Sequence, residues 1–166
     1  LRDGDLEAIK EDIRRYPIGF GLDAKINLTD ESSIVEALEK VGITKDSVVM
    51  WGTGEVFREF LFVEDLADAC IYMMENVNAE EMKYVSQDYF VNVGTGEEIK
   101  LKELAIMIKE MVGVKGEIKN DISKPDGMPR KILDISKAIQ LGWGPKTSLE
   151  EGIRKTIKWY LKNINR

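Results

Sequence analysis

The 166-residue sequence contains no histidine and one cysteine, Cys70. Without histidine there is no Ser-His-Asp or Cys-His nucleophile pair, no histidine zinc site and no imidazole proton shuttle. A single thiol permits neither an internal disulfide nor a cysteine metal cluster. Long apolar runs are also missing, and none approaches the roughly 18 residues of a membrane-spanning helix. No charged-then-apolar signal segment opens the chain. Cations are the minority: 24 lysines and arginines stand against 30 acids, a net charge of -6. That balance argues against general nucleic-acid binding, which needs a basic face. What is present is a 43% hydrophobic composition, enough for a packed core. The expectation is one soluble cytoplasmic domain, at most with an appendage, and neither a membrane nor a nucleic acid as partner.

Residues 1–47 read as charged and mainly helical. Leu6, Ile9, Ile13 and Tyr16 fall at near-helical spacing, and Pro17 should end that helix. Thr29 or Asp30 can cap a second helix with Ile34, Val35, Leu38 and Val41 inward and Gly42 at its end. Val48–Met50 reads as a short buried strand, broken by Trp51-Gly52-Thr53-Gly54. From Glu64 to Val77, Leu66, Ala69, Cys70, Met73, Met74 and Val77 form a one-faced helical stripe, which predicts a buried, inert thiol. Residues 78–87 read as a polar connection, and 89–93 as a strand ended by Gly94-Thr95-Gly96. A helix with Leu101, Leu104, Ala105, Ile108 and Val112 inward stops at Gly113. Residues 117–120 and 131–134 read as short strands and Ser136–Gln140 as a small helix. Ser148 and Glu151 have capping-box spacing for a last helix with Ile153, Ile157, Tyr160 and Leu161 inward and a basic end that includes Arg166. Trp143, Trp159 and the methionines 73, 74, 107 and 111 read as packing residues. Strands alternating with helices make this an α/β chain.

Three places could carry chemistry. Gly-x-Gly occurs at Gly19, Gly52, Gly94 and Gly142, but Ala24, Phe57, Ile99 and Thr147 stand where a dinucleotide fingerprint needs its third glycine. Tight turns explain all four. In the loop from Lys124 to Lys131, three cations and one acid sit on a stretch stiffened by Pro125 and Pro129. Its cations suit a phosphate and its Asp126 suits sugar hydroxyls, and a solvated turn explains the same residues equally well. Trp51 can pack on a flat base or sugar, with Arg58 one loop later reaching a phosphate. The competing reading is a core tryptophan and an Arg58–Glu59 surface salt bridge.

In this order, VVMWGTG, REFLFVEDLADA, VNVGTGEEIKLKELA, SKPDGMPRKILD, LGW and a terminal EGI…WYL helix resemble the C-terminal half of the GDP-L-fucose synthase family. These are extended short-chain dehydrogenase/reductases. The resemblance runs from about Val48 to the end, and the KPDGMPRK loop is its specific part. Residues 1–47 resemble an insertion found in some bacterial members.

The resemblance implies C3/C5 epimerisation and NADPH-dependent C4 reduction of GDP-4-dehydro-6-deoxy-D-mannose. It also implies an N-terminal Rossmann domain that holds NADPH and a Tyr-x-x-x-Lys pair. Here Phe20, Asn76, Asp88, Val93 and Ile164 follow the five tyrosines at that spacing, so no such pair exists, and Cys70 does not match the family's catalytic cysteine. No catalytic, cofactor or metal residue is therefore expected in this chain, and Leu1 hints at a fragment lacking its Rossmann half. What carries over is substrate binding. By the family pattern Trp51 contacts the nucleotide, Arg58 the pyrophosphate, and Asp126 and Lys131 the nucleotide-sugar end, with Arg130 a further candidate. Phe57 departs from the proline or basic residue usual there.

The expected architecture is a mixed α/β substrate-binding lobe at 48–166 with a helical flank at 1–47, inactive alone. Its partners would be a GDP-sugar, the Rossmann domain, and a second copy through the face that domain would cover. Two other readings stay open. One is the lobe of another nucleotide-sugar epimerase or dehydratase. The other is a non-catalytic interaction module.

Overall fold

The computed structural model describes residues 5–19, 21–85 and 89–163. In chain order the elements are α1 (Leu6–Arg15), a 3-10 turn (Asp23–Lys25), α2 (Glu31–Lys40), β1 (Ser47–Trp51), β2 (Phe57–Arg58), α3 (Val63–Asn76), α4 (Ala79–Val85), β3 (Ile99–Lys100), α5 (Leu101–Val112), β4 (Glu117–Asp121), β5 (Arg130–Lys131), α6 (Ser136–Gln140) and α7 (Leu149–Asn163). Helices alternate with short strands, as an α/β reading requires. They form two compact units, one from Leu1–Gly54 with Val114–Asp126, the other from Glu55–Gly113 with Gly127–Arg166. Among the described residues no helix is long and apolar enough to cross a membrane.

In the first unit, Asp5 caps α1 by accepting from the Ala8 N–H at 3.0 Å. The helix ends at Arg15, because Tyr16 precedes a proline and is pushed out of the helical region. Of the two candidate caps for α2, Asp30 serves, accepting from the Ser32 N–H at 3.2 Å. That helix buries Ile34, Ala37 and Leu38. Gly42 follows with φ +82°, and a Cβ there would overlap the Val49 carbonyl, so glycine is required. β1 pairs in parallel with β4, from Ser47 opposite Glu117 to Trp51 opposite Asp121. Residues 1–47 thus share a unit with both strands.

In the second unit β2 is the central strand of three, antiparallel to β3 and parallel to β5. The core is Ala69 of α3, Ala138 of α6 and Trp143, with Leu61, Tyr72, Met73, Val91 and Val93 packed on it. Trp143 is 2% exposed, and its indole N–H donates to Asp68 at 2.9 Å. At α7, Ser148 Oγ accepts from the Glu151 N–H at 3.3 Å, which is half of the expected capping box.

Several expectations need correction. Residues 89–93 are not a strand, because no neighbouring strand pairs with them among the described residues and Tyr89 takes φ +54°. Val91 and Val93 are held by the core instead. The polar connection contains α4, whose cap Asn78 accepts from the Glu80 and Glu81 N–H groups while Glu81 accepts from Asn78 N–H. Ser86 and Gln87 of that connection, and Arg166 of the basic end, lie outside the described residues. The last short strand is Arg130–Lys131 and not 131–134. Cys70 is exposed, not buried, and Met74 is 85% exposed. Ile108, Val112, Trp159, Tyr160 and Leu161 are exposed as well. Helical period marks which side chains share a stripe; what covers that stripe is set by the neighbouring elements.

Candidate functional site

The five sequence-derived candidates divide between the units. Trp51 ends β1 in the first unit and is 60% exposed. It is therefore not a core residue. Lys124 Nζ lies 5.7 Å from its ring centroid, within cation–π range. Trp51 is presented by a tight turn. Gly52 takes φ +74°, and a Cβ there would overlap Asp126. Asp126 closes the turn by accepting from the Thr53 N–H at 2.5 Å and the Thr53 hydroxyl at 2.8 Å. Asn120 donates to the Gly52 carbonyl at 3.0 Å. Asp126 thus has a structural partner that the sequence did not disclose, and the Gly-Thr-Gly run is the turn expected of it.

Arg58, Arg130 and Lys131 belong to the second unit. Arg58 lies directly opposite Lys131 in the parallel ladder between β2 and β5, and Phe57 lies opposite Arg130. Strand alternation then puts Arg58 and Lys131 on one face. Both line a cleft of about 370 Å³ together with Glu59, Leu61, Val93, Gly94, Ile132 and Leu133. Arg58 also lines a cleft of about 320 Å³ beside Thr95, Glu97 and Lys146. Its guanidinium donates to the Phe57 carbonyl at 2.6 Å, and among the described residues it pairs with no carboxylate. Arg130 differs, since Glu98 neutralises it at 2.7 Å. Two like charges directly opposite each other in a ladder repel. An anion laid across them would relieve that repulsion.

The suggested Arg58–Glu59 salt bridge is absent. Glu59 instead accepts from the Thr95 N–H at 2.5 Å and the Gly96 N–H at 2.8 Å through one oxygen, and from the Leu133 N–H at 2.8 Å through the other. Burial pushes its pKa up, but donation from Leu133, Gly96 and Thr95 prevails and holds it below the usual carboxylate value. Sequence reasoning missed this role. The glycines at 94 and 96 were the available hint, because a Cβ on Gly94 would overlap the Glu59 carboxylate.

A dinucleotide cradle needs a strand that turns through glycines straight into a helix. Among the described residues, the Gly52 turn leads from β1 toward β2, and Gly94-Thr95-Gly96 leads toward β3. Neither turn is therefore such a cradle, and no described residue is assigned to NADPH. No acidic or cysteine cluster among them could hold a metal ion.

A sequence model of the family described as GDP-mannose 4,6 dehydratase matches residues 25–156. The chain belongs to that family. Relatives of this family member include GDP-L-fucose synthase 1 of Arabidopsis thaliana, 47% identical over 119 residues, which are 72% of this chain and 34% of that protein. The motif-based resemblance to GDP-L-fucose synthases is thereby borne out. A solved Campylobacter jejuni GDP-D-glycero-L-gluco-heptose synthase, determined in the presence of NADPH, is 35% identical with a TM-score of 0.80, over 97% of this chain and 43% of that one. A GDP-L-fucose synthetase from Naegleria fowleri, bound to NADP, is 26% identical with a TM-score of 0.64, over 76% of this chain and 38% of that one. The chain spans about a third of the length of the curated relatives it matches.

Proposed function

We propose that the chain is the substrate-binding lobe of an NADPH-dependent GDP-L-fucose synthase. The longer protein would epimerise C3 and C5 and reduce C4 of GDP-4-dehydro-6-deoxy-D-mannose. In this reading Arg58 and Lys131 grip the diphosphate and exposed Trp51 stacks on the nucleotide. Asp126 holds the turn beneath Trp51 and keeps lone pairs for a sugar hydroxyl, and Arg130 contributes less because Glu98 already pairs with it. The observation that carries the reading is the facing pair of Arg58 and Lys131 on one cleft. NADPH and the proton-donating residues would come from a preceding Rossmann domain, residues 1–47 would be an insertion, and the lobe alone would be inactive. Titration calorimetry tests the site. GDP should bind, uridine and thymidine diphosphates should bind less well, and Arg58→Ala should weaken GDP about tenfold or more. GDP binding indifferent to Arg58 would overturn the reading.

One observation favours a second reading within the same chemistry. The heptose synthase structure matches 97% of the chain, whereas the Naegleria fowleri GDP-L-fucose synthetase structure matches 76%. A GDP-heptose would then be the substrate. Comparing turnover of GDP-linked 6-deoxyhexose and heptose ketones by the full-length protein separates the two.

A further inference from the structure

We propose that Glu59 is a positioning residue, one that sets the spacing and direction of Arg58 and Lys131 for a diphosphate without touching the ligand. The inference rests on the reading of that pair as the diphosphate grip.

The ladder that carries the two cations is short. It holds two register pairs, Phe57 with Arg130 and Arg58 with Lys131. So short a pairing is weak by itself, and here it must also resist repulsion between the cations it aligns. Glu59 extends the connection where the ladder stops. It directly follows Arg58, and it accepts the N–H of Leu133, two residues beyond Lys131, at 2.8 Å. A side chain thus continues the link between the two segments after the backbone has ceased to make it. The other carboxylate oxygen fixes the Thr95–Gly96 turn with two further N–H bonds. One carboxylate therefore joins the Arg58 strand, the Lys131 strand and the turn beside them.

The space for this carboxylate is reserved. Gly94 is buried, and a Cβ there would overlap Glu59 Oε1 and sit 3.0 Å from its carboxyl carbon. Gly94 shows no positive φ, so close approach and not backbone conformation accounts for glycine at this position. The two cations that need alignment and the acid that aligns them are adjacent in sequence only at residues 58 and 59. The remaining partners come from two distant segments, as expected of a clamp and not of a local turn.

The experiment compares affinities for GDP and for guanosine, by calorimetry, in the wild-type chain and in two variants. Glu59→Gln keeps the shape but removes the charge and the capacity to accept all three N–H groups well. Gly94→Ala leaves Arg58, Glu59 and Lys131 untouched but displaces the carboxylate. In both, GDP affinity should fall about tenfold while guanosine affinity stays within about twofold, so the ratio of the two falls. Thermal melts followed by circular dichroism check that each variant folds. If one does not, the other carries the test. A role in fold stability alone would lower both affinities together or neither, and an unchanged ratio in a folded variant overturns the proposal. Wild-type chain with no affinity for GDP overturns the reading of the site, and the proposal with it.

Discussion

Asp65 in the first turn of α3 caps the segment that opens α7 by way of Thr147. Its carboxylate accepts from the Thr147 hydroxyl at 2.8 Å through Oδ1, and from the Thr147 N–H at 2.8 Å and the Lys146 N–H at 2.9 Å through Oδ2. Asp65 is 4% exposed. In the first turn of α3 an acid also suits the helix dipole, so one carboxylate serves both α3 and the loop that leads into α7.

Replacing Asp65 with alanine should therefore destabilise the fold more than a surface acid would. Three donors lose their partner, at a cost of about 2–4 kcal/mol. Urea denaturation of Asp65→Ala measures this, and a loss under 1 kcal/mol would show the clamp to be dispensable.

Acid should weaken the fold over a defined window. Glu55 accepts from Lys100 at 2.8 Å and also pairs with Lys102. Hydrogen bonds from both lysines lower its pKa from 4.5 to about 2. A carboxylate with a depressed folded pKa contributes stability above its unfolded pKa, and loses it as pH falls through the folded value. Glu59 and Asp65 are depressed as well. Melting temperature should be nearly flat at neutral pH and fall from about pH 4.5 toward 2. Glu55→Gln should flatten part of that fall, and raised salt should mimic it.

The three tryptophans should respond differently to a quencher. Trp143 is 2% exposed, whereas Trp51 is 60% and Trp159 66% exposed. Acrylamide should quench two populations and spare the third. GDP should change the emission of wild-type chain but not of Trp51→Phe. A ligand-induced change that survives this substitution would remove Trp51 from the site.

Gly52→Ala should damage the Trp51 turn twice, since φ is +74° there and the added Cβ meets Asp126. The strain alone costs about 1–2 kcal/mol. Asp126→Ala relieves the overlap, so the double variant should recover part of the loss in thermal melts. Strict additivity would mean that the two residues do not press on each other.

Cys70 should react with a thiol reagent in the native state, one equivalent per chain, because it is exposed. Reaction only after denaturant would restore the buried thiol that helical period suggested.

Legibility in the sequence followed the range of the interactions. α6 lies where its residues were read, and α3 and α5 lie within a residue or so of their expected bounds, because period and capping act over three or four positions. Glu59 was misread because its partners, Thr95 and Leu133, are 36 and 74 residues away. The facing of Arg58 and Lys131 needed a strand register that no local pattern encodes. Residues 89–93 have strand composition but lack the neighbour that would make them one, as β propensity reports fit to a partner surface.

The pairing of β1 with β4 has a cost in time. Parallel strands cannot be joined by a hairpin, and here residues 52–116 stand between them. Closing so long a loop before any contact rewards it slows folding. The β2–β3 ladder joins residues nearer in sequence and can form first, whereas α3 must wait for Ala138 and Trp143, which follow β4. A nascent chain therefore carries an unsatisfied β1 edge until β4 has been synthesised, and a chaperone or a second nascent chain has that interval in which to meet it.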